Sequence, residues 1–287
     1  MSIARAIKGT ISQTPRQDRA SPVRKYLTRG LKRILPISVA VLLFPTPLLI
    51  YICCGLADLL RNKSVNRAML VRYFTGNGIF TWLLSPFNLF MDLLTLPYWN
   101  RGVYDLADLP KPYQDEINSV IDAATKSNVV EELGKRLGDE KRGMFFFKWY
   151  GKNLRGSVDF PAFHQPYKYI CTIGVSVFNK KQSTGEHFGP LRITLRVLYN
   201  LTKNDDPNVY IKVGDRKHQW KTNKLFIFDD TLQHQSCNES NAVRYCMFVD
   251  ILRPSPVPEL LRIILSVVRL ISLRFNQAFY KNWTFIK

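Results

Sequence analysis

The chain predicts a mainly β fold, a small barrel or jelly roll, with flanking helices and N-terminal membrane segments. Tyr169 to Phe178, Leu191 to Leu198, Val209 to Val213, Leu225 to Phe228 and Tyr245 to Leu252 are short runs rich in Val, Ile, Phe and Tyr. Broken by Asn, Asp, Gly and Lys, they have the pattern of antiparallel strands. Two histidines, His187 and His234, stand among these runs. Ahead of them, Ile34 to Ala57 and Gly78 to Trp99 are apolar stretches long enough to cross a bilayer, which takes about 20 residues.

Taken in order, residues 1–33 form a basic tail in which nine lysines and arginines face Asp18 alone. Such a tail suits an anionic lipid surface. Residues 34–100 hold the two apolar stretches, the first kinked by Pro36, Pro45 and Pro47 and the second ending in Pro97-Tyr98-Trp99. Basic residues flank the first stretch on both sides, Arg61, Lys63, Arg67 and Arg72 following it. The positive-inside rule therefore selects no simple crossing. A hairpin, 34–57 entering and 78–99 returning, keeps both basic flanks in the cytosol; a single span with a luminal barrel on an endomembrane is the competing arrangement.

Residues 101–165 are more polar, and the spacing of Ile117, Val120, Ile121, Val129, Val130 and Leu133 predicts one or two helices packed on the barrel. An aromatic run, Met144 to Gly151, follows. The barrel occupies 166–254. After it, residues 255–287 place ten aliphatic side chains between Glu259 and Phe275 around Arg262, Arg269 and Arg274, a basic apolar helix suited to a membrane interface, with Phe279, Tyr280, Trp283 and Phe285 continuing the anchor.

At 287 residues the chain can bury one sizeable core. Its formal net charge of +19 calls for an anionic partner. No zinc-finger spacing or nucleic-acid module accompanies that charge, so a membrane is expected and nucleic acid is not. Five cysteines without ligand spacing exclude a dense disulfide framework, although one bridge among Cys171, Cys237 and Cys246 stays open.

Two imidazoles on rigid strands can converge in a barrel mouth and hold a metal ion. The carboxylate that commonly completes such a site sits two residues after the first His, and here that residue is Gly189. Asp229 and Asp230 could supply a carboxylate or simply form a turn. Arg192 and Arg244 lie within strand-like runs, where a guanidinium is costly to bury unpaired. Each could clamp a small dicarboxylate or face solvent. His164 and His218 carry no such pattern.

The series Ser176, His187-Phe188-Gly189-Pro190, Leu191-Arg192-Ile193-Thr194-Leu195, Phe226-Ile227-Phe228-Asp229-Asp230, His234, Arg244 and Arg253-Pro254 resembles the aspartyl/asparaginyl β-hydroxylase family. The resemblance implies a double-stranded β-helix, a cupin-like barrel of the Fe(II)/2-oxoglutarate dioxygenases. It implies iron held by His187 and His234 alone, as in the peptide-hydroxylating branch where glycine at position 189 is expected. It also implies 2-oxoglutarate against Ser176, Arg192, Thr194 and Arg244, with Thr194 standing where the family usually has histidine.

With Fe(II), 2-oxoglutarate and O₂ as cofactors, the implied activity is hydroxylation. Lys148-Trp149-Tyr150-Gly151, Arg72-Tyr73, Pro86-Phe87-Asn88 and the apolar N-terminal stretch are similar to the layout of bacterial lipid A 2-hydroxylases. The substrate expected on that layout is an acyl chain of lipid A or of an aminolipid, reached from the cytosolic face of an inner membrane. Peptidyl aspartyl/asparaginyl hydroxylation and an inactive lipid-binding relative are the alternatives; the oligomeric state is left open.

Overall fold

The computed structural model describes residues 43–96, 98, 101–138, 140–154 and 159–272, and the backbone of 284 and 285. The expected basic tail, the first part of the 34–57 stretch and most of the terminal aromatic anchor lie outside these residues. By internal contacts the chain divides into two compact units, 1–50 and 51–287. In the first, residues 45–50 begin helix α1 (Pro45–Leu59). The second holds everything else.

Two antiparallel sheets make the barrel. The larger contains β1 (Val103–Tyr104), β2 (Arg142–Trp149), β3 (Lys152–Asn153), β4 (Ile170–Phe178), β6 (Thr194–Asn200), β9 (Leu225–Phe228), β11 (Arg244–Leu252) and β12 (Thr284–Phe285), in the order β1-β9-β6-β11-β4-β2-β12 with β3 on β2. Only the β2–β12 pairing is parallel. The smaller has the order β5-β10-β7-β8, from β5 (Gln182–Ser183), β7 (Val209–Val213), β8 (Arg216–Gln219) and β10 (His234–Asn238). Non-consecutive neighbours throughout both sheets give the jelly-roll-like architecture that the strand pattern predicts.

The sheet reaches further than residues 166–254. The aromatic run Met144 to Trp149 is itself strand β2 and pairs with β4 along most of its length, and β1 extends the opposite edge through β9. Strands β4 and β11 are buried at every position, so both faces of the larger sheet are covered and its centre reads as an apolar run.

Each face has its own cover. Outside lie α5 (Lys111–Lys126) and α6 (Val129–Leu137), which bury Ile117, Val120, Val129, Leu133 and Leu137 against Ile173, Val175, Val197, Met247 and Val249. The Glu116 carboxylate of α5 accepts hydrogen bonds from the backbone N–H groups of Lys168, Tyr169 and Ile170 and so pins α5 to the start of β4. The inner face packs Leu198, Phe226, Phe228 and Phe248 against Val209, Ile211, Val213 and Trp220 of the smaller sheet and its flanking turn.

A third layer combines α2 (Arg67–Thr75), α3 (Ile79–Leu83), α4 (Ser85–Leu94) and the C-terminal α7 (Pro258–Ser272). Among the described residues no helix is long and apolar enough to cross a membrane. Within the 78–99 stretch, expected as the returning arm of a hairpin, the described residues form no single helix of spanning length. Its helix is interrupted at Leu84, the cap shared by α3 and α4, and its polar side chains point inward.

Ser85 and Asn88 are fully buried, while Phe90 and Leu93 are 50% and 65% exposed. Thr81 is buried beside exposed Phe80 and Leu83. These helices are inverted relative to an ordinary surface helix, whose apolar stripe faces the core. Hydropathy registers their apolar content and misses which side it occupies.

Candidate active site

His187 and His234 are cross-strand neighbours. Each donates its backbone N–H to the other's carbonyl at 2.9 Å, an isolated antiparallel bridge. Side chains of such a pair project to the same face, and the ring centroids stand 4.1 Å apart. Each Nδ1 lies 2.8 Å from a carbonyl two residues upstream, Gly185 for His187 and Leu232 for His234. Donation to those carbonyls places the proton on Nδ1, so both Nε2 atoms carry the lone pair that a metal requires.

Burial lowers both imidazoles below their ordinary pKa, and His187 pushes His234 down further. Both are thus kept neutral and ready to ligate at physiological pH. Among the described residues no group of three His, Cys, Asp or Glu side chains is arranged around one ion. The donor set fits a metal held by two imidazoles.

Gly189 follows from the same geometry. A Cβ there would stand 2.0 Å from Asp230 Oδ2 and 2.6 Å from its Cγ, so no side chain fits while Asp230 keeps its place. Asp230 is held by Arg196, whose Nη1 donates to Oδ1 at 2.8 Å, and that oxygen sits 3.3 Å from His234 Nε2. Negative charge beside the imidazoles thus comes from the loop before β10. Asp230 leads the turn, and it also faces the site.

Arg244 lies on the inner face at the start of β11. It is buried, with only Nη2 bonded, to Ser236 Oγ at 2.7 Å. Nε and Nη1 have no hydrogen-bond partner among the described residues, nor has the indole N–H of Trp220, whose ring centroid is 5.8 Å from the guanidinium. Phe178 covers the other side at 4.3 Å. Burial pushes the guanidinium below its ordinary pKa.

Ser176 shares this face, paired in register with Cys246, two residues along β11 from Arg244. Ser236 is two residues from His234 on β10, about 7 Å along a strand. The unsatisfied guanidinium and the paired imidazoles are thus separated by roughly the length of a short dicarboxylate.

Residues 114–254, from within α5 to just past β11, match the family model described as aspartyl/asparaginyl beta-hydroxylase. This stretch belongs to that hydroxylase family. The chain is also 24% identical over 233 residues to the ornithine lipid ester-linked acyl 2-hydroxylase of Rhizobium tropici, covering 75% of this chain and 78% of that protein. Among solved structures, a 2OG-Fe(II) oxygenase family oxidoreductase from Burkholderia pseudomallei has 10% identity, covers 44% of this chain and 77% of its own, and has a TM-score of 0.31. The viral collagen prolyl hydroxylase of Paramecium Bursaria Chlorella virus-1 has 9% identity, 45% and 92% coverage, and the same TM-score of 0.31. Such scores do not establish a common fold, and the jelly-roll assignment rests on the strand order.

Two residues expected at the hydroxylase's co-substrate site are elsewhere. Arg192 is fully buried but already paired: its guanidinium meets Asp58, Asp92 at 2.6 Å and Asp229 at 3.7 Å. Three carboxylates leave no room for a fourth. Thr194 pairs in register with Leu252, eight residues along β11 from Arg244, a distance of about 26 Å. Thr194 thus stands apart from Arg244 and lies two residues along β6 from Arg196. Thr194→Ser is expected to leave the Michaelis constant for 2-oxoglutarate within about twofold of the parent; steady-state kinetics would show a rise if Thr194 touched the co-substrate.

Sequence reasoning missed Arg196 and Trp220 as site residues. Arg196 lies on the inner face of β6 and bonds both Asp230 and Asp250. Its signal was available, since it follows Arg192 and Thr194 at period 2 in the same run. His164 lies beside Asp159, whereas His218 stacks on Phe226 and meets Trp220 edge-on at 5.0 Å between ring centroids. All five cysteines are free thiols, so the open bridge is not formed.

Proposed function

We propose that this hydroxylase is an Fe(II)/2-oxoglutarate-dependent dioxygenase acting on an acyl chain of a membrane lipid. The observation that carries the chemistry is the pairing of two lone-pair-bearing imidazoles with an unsatisfied buried guanidinium one short dicarboxylate away. His187 and His234 would hold the iron; Arg244, Ser176 and the Trp220 indole would hold 2-oxoglutarate. Iron with 2-oxoglutarate and O₂ supplies the oxidant, with succinate and CO₂ as by-products and one oxygen entering a substrate C–H bond.

This chain's residues do the rest. The Gly185 and Leu232 carbonyls fix the imidazole tautomers, Arg196 orients Asp230, and Phe178 and Trp220 keep water from the guanidinium. Apolar packing around that cation strengthens its attraction for a carboxylate. Arg244→Lys keeps one charge but loses the fork that engages a carboxylate at two points. It is expected to raise the Michaelis constant for 2-oxoglutarate about 10- to 100-fold, a loss of roughly 1.5–3 kcal/mol, as measured by succinate formation.

The lipid substrate is supported by the Rhizobium tropici relative and by the inverted helices. Exposed Phe90 and Leu93 of α4 and Ile263, Val267 and Leu270 of α7 belong to two helices joined through Met91, Leu261 and Leu265. An apolar face of this kind suits lying in the plane of a membrane, with the barrel on the cytosolic face. Mass spectrometry of membrane lipids with and without the protein tests the reading: one lipid class gaining one oxygen is the expected result, and an unchanged lipid profile beside iron-dependent succinate formation sinks it. Gly189, shared with the peptide branch, gives peptidyl hydroxylation second place, with oxygen gained by a peptide as its outcome.

A further inference from the structure

A cavity of about 800 Å³ lies among the loop after α1, helix α4 and the β7–β8 turn, and neither His187 nor His234 lines it. That volume falls within the range of small-molecule sites. Its walls are mostly apolar, with Leu89 and Leu93 on one side and Val213 and Leu232 on the other. The second pair ties it to the metal-binding residues. Val213 is the register partner of His234, and Leu232 provides the carbonyl that fixes the His234 tautomer.

The outer wall is α4, the inverted helix, and Leu93 is both a wall residue and 65% exposed. The cavity is therefore continuous with the apolar surface of the third layer. At its rim stand Lys63 and Arg216, both exposed, and neither forms an ion pair among the described residues. Asp215 is a neighbouring carboxylate on the rim; the chain as a whole carries +19.

We propose that this cavity binds one acyl chain of an anionic lipid, with the headgroup against Lys63 and Arg216 and the chain between α4 and the β7–β10 strand pair. The proposal rests on the lipid reading of the function and names where the substrate enters. Apolar walls select the chain, the two rim cations select the headgroup, and the shared Leu232 sets the chain beside His234.

The test is photo-crosslinking of the full-length protein with a single-chain phosphatidic acid carrying a diazirine midway along its acyl chain, with adducts located by mass spectrometry. Adducts are expected on Leu89, Leu93, Val213 and Leu232. Yield is expected to fall about tenfold with the uncharged monoacylglycerol bearing the same chain, and similarly in the Lys63→Glu/Arg216→Glu variant. Adducts confined to the exposed faces of α1 and α7, no adducts, or a yield indifferent to headgroup charge overturns the proposal. Lipid oxidation measured in parallel separates the two ideas. Oxidised lipid with adducts outside the cavity removes the cavity alone, whereas cavity adducts with no lipid oxidised leave the binding site and remove the lipid hydroxylase.

Discussion

His234→Ala is expected to abolish iron-dependent succinate formation, a fall of at least about 10³-fold, and to leave the purified protein without stoichiometric iron. The side chain is buried, and its Nδ1 is committed to the Leu232 carbonyl, so Nε2 is the atom left to take up the proposed iron. His187→Ala should match it, and the double variant should be no worse than either, because groups that act as a unit lose their effect together. Circular dichroism and the melting temperature control for the fold. An alanine variant that kept both its iron and its turnover would show that these imidazoles merely pack against each other.

Asp229→Ala is expected to be the most destabilising substitution of those considered, costing about 3–5 kcal/mol and lowering the melting temperature by on the order of 10 °C. The carboxylate is fully buried and meets Arg61 at 2.7 Å, Arg253 at 2.9 Å and Arg192 at 3.7 Å. With Asp58 and Asp92 it balances those three guanidinium groups. Removing it leaves Arg192 and Arg253, both fully buried, short of a counter-charge.

The pH dependence follows from the same contacts. Burial raises the Asp229 pKa, but Arg253, Arg61 and Arg192 outweigh it and hold the carboxyl far below its usual range. Its contribution is therefore complete above the unfolded-chain value of about 4 and is lost as pH falls below that. Wild type should lose more stability than Asp229→Asn between neutrality and pH about 3. Equal acid sensitivity of the two proteins, in thermal melts across that range, would remove Asp229 from its place in the network.

Much of the barrel was legible because its strands carry their own signal. Val209 to Val213 and Leu225 to Phe228 are strands at the residues the pattern marks, and Arg244 of the larger sheet reaches Ser236 on β10, the strand of the smaller sheet that carries His234. Arg192 was misread for a reason no local pattern could repair. Its partners stand at positions 58, 92 and 229, and a guanidinium awaiting a ligand looks the same in sequence as one already satisfied. Thr194 could not be placed from sequence, since only the antiparallel register of β6 on β11 sets it at the end of β11 away from Arg244.

The second apolar stretch did contain a readable warning. Ser85, Asn88 and Asp92 recur at helical spacing and mark one polar stripe. A segment immersed in lipid would hide such a stripe against protein, and α4 does so against the barrel.

That arrangement bears on how the enzyme can be handled. Arg72 grips Glu186, Asn77 donates to the Glu186 carbonyl, Thr81 to that of Gly189 and Asn88 to that of Pro190. The segment from α2 to α4 is thus the strap that buckles down the segment bearing His187, the proposed first iron ligand. Trimming it away to gain a better-behaved barrel would remove the oily surface and the catalyst in one cut.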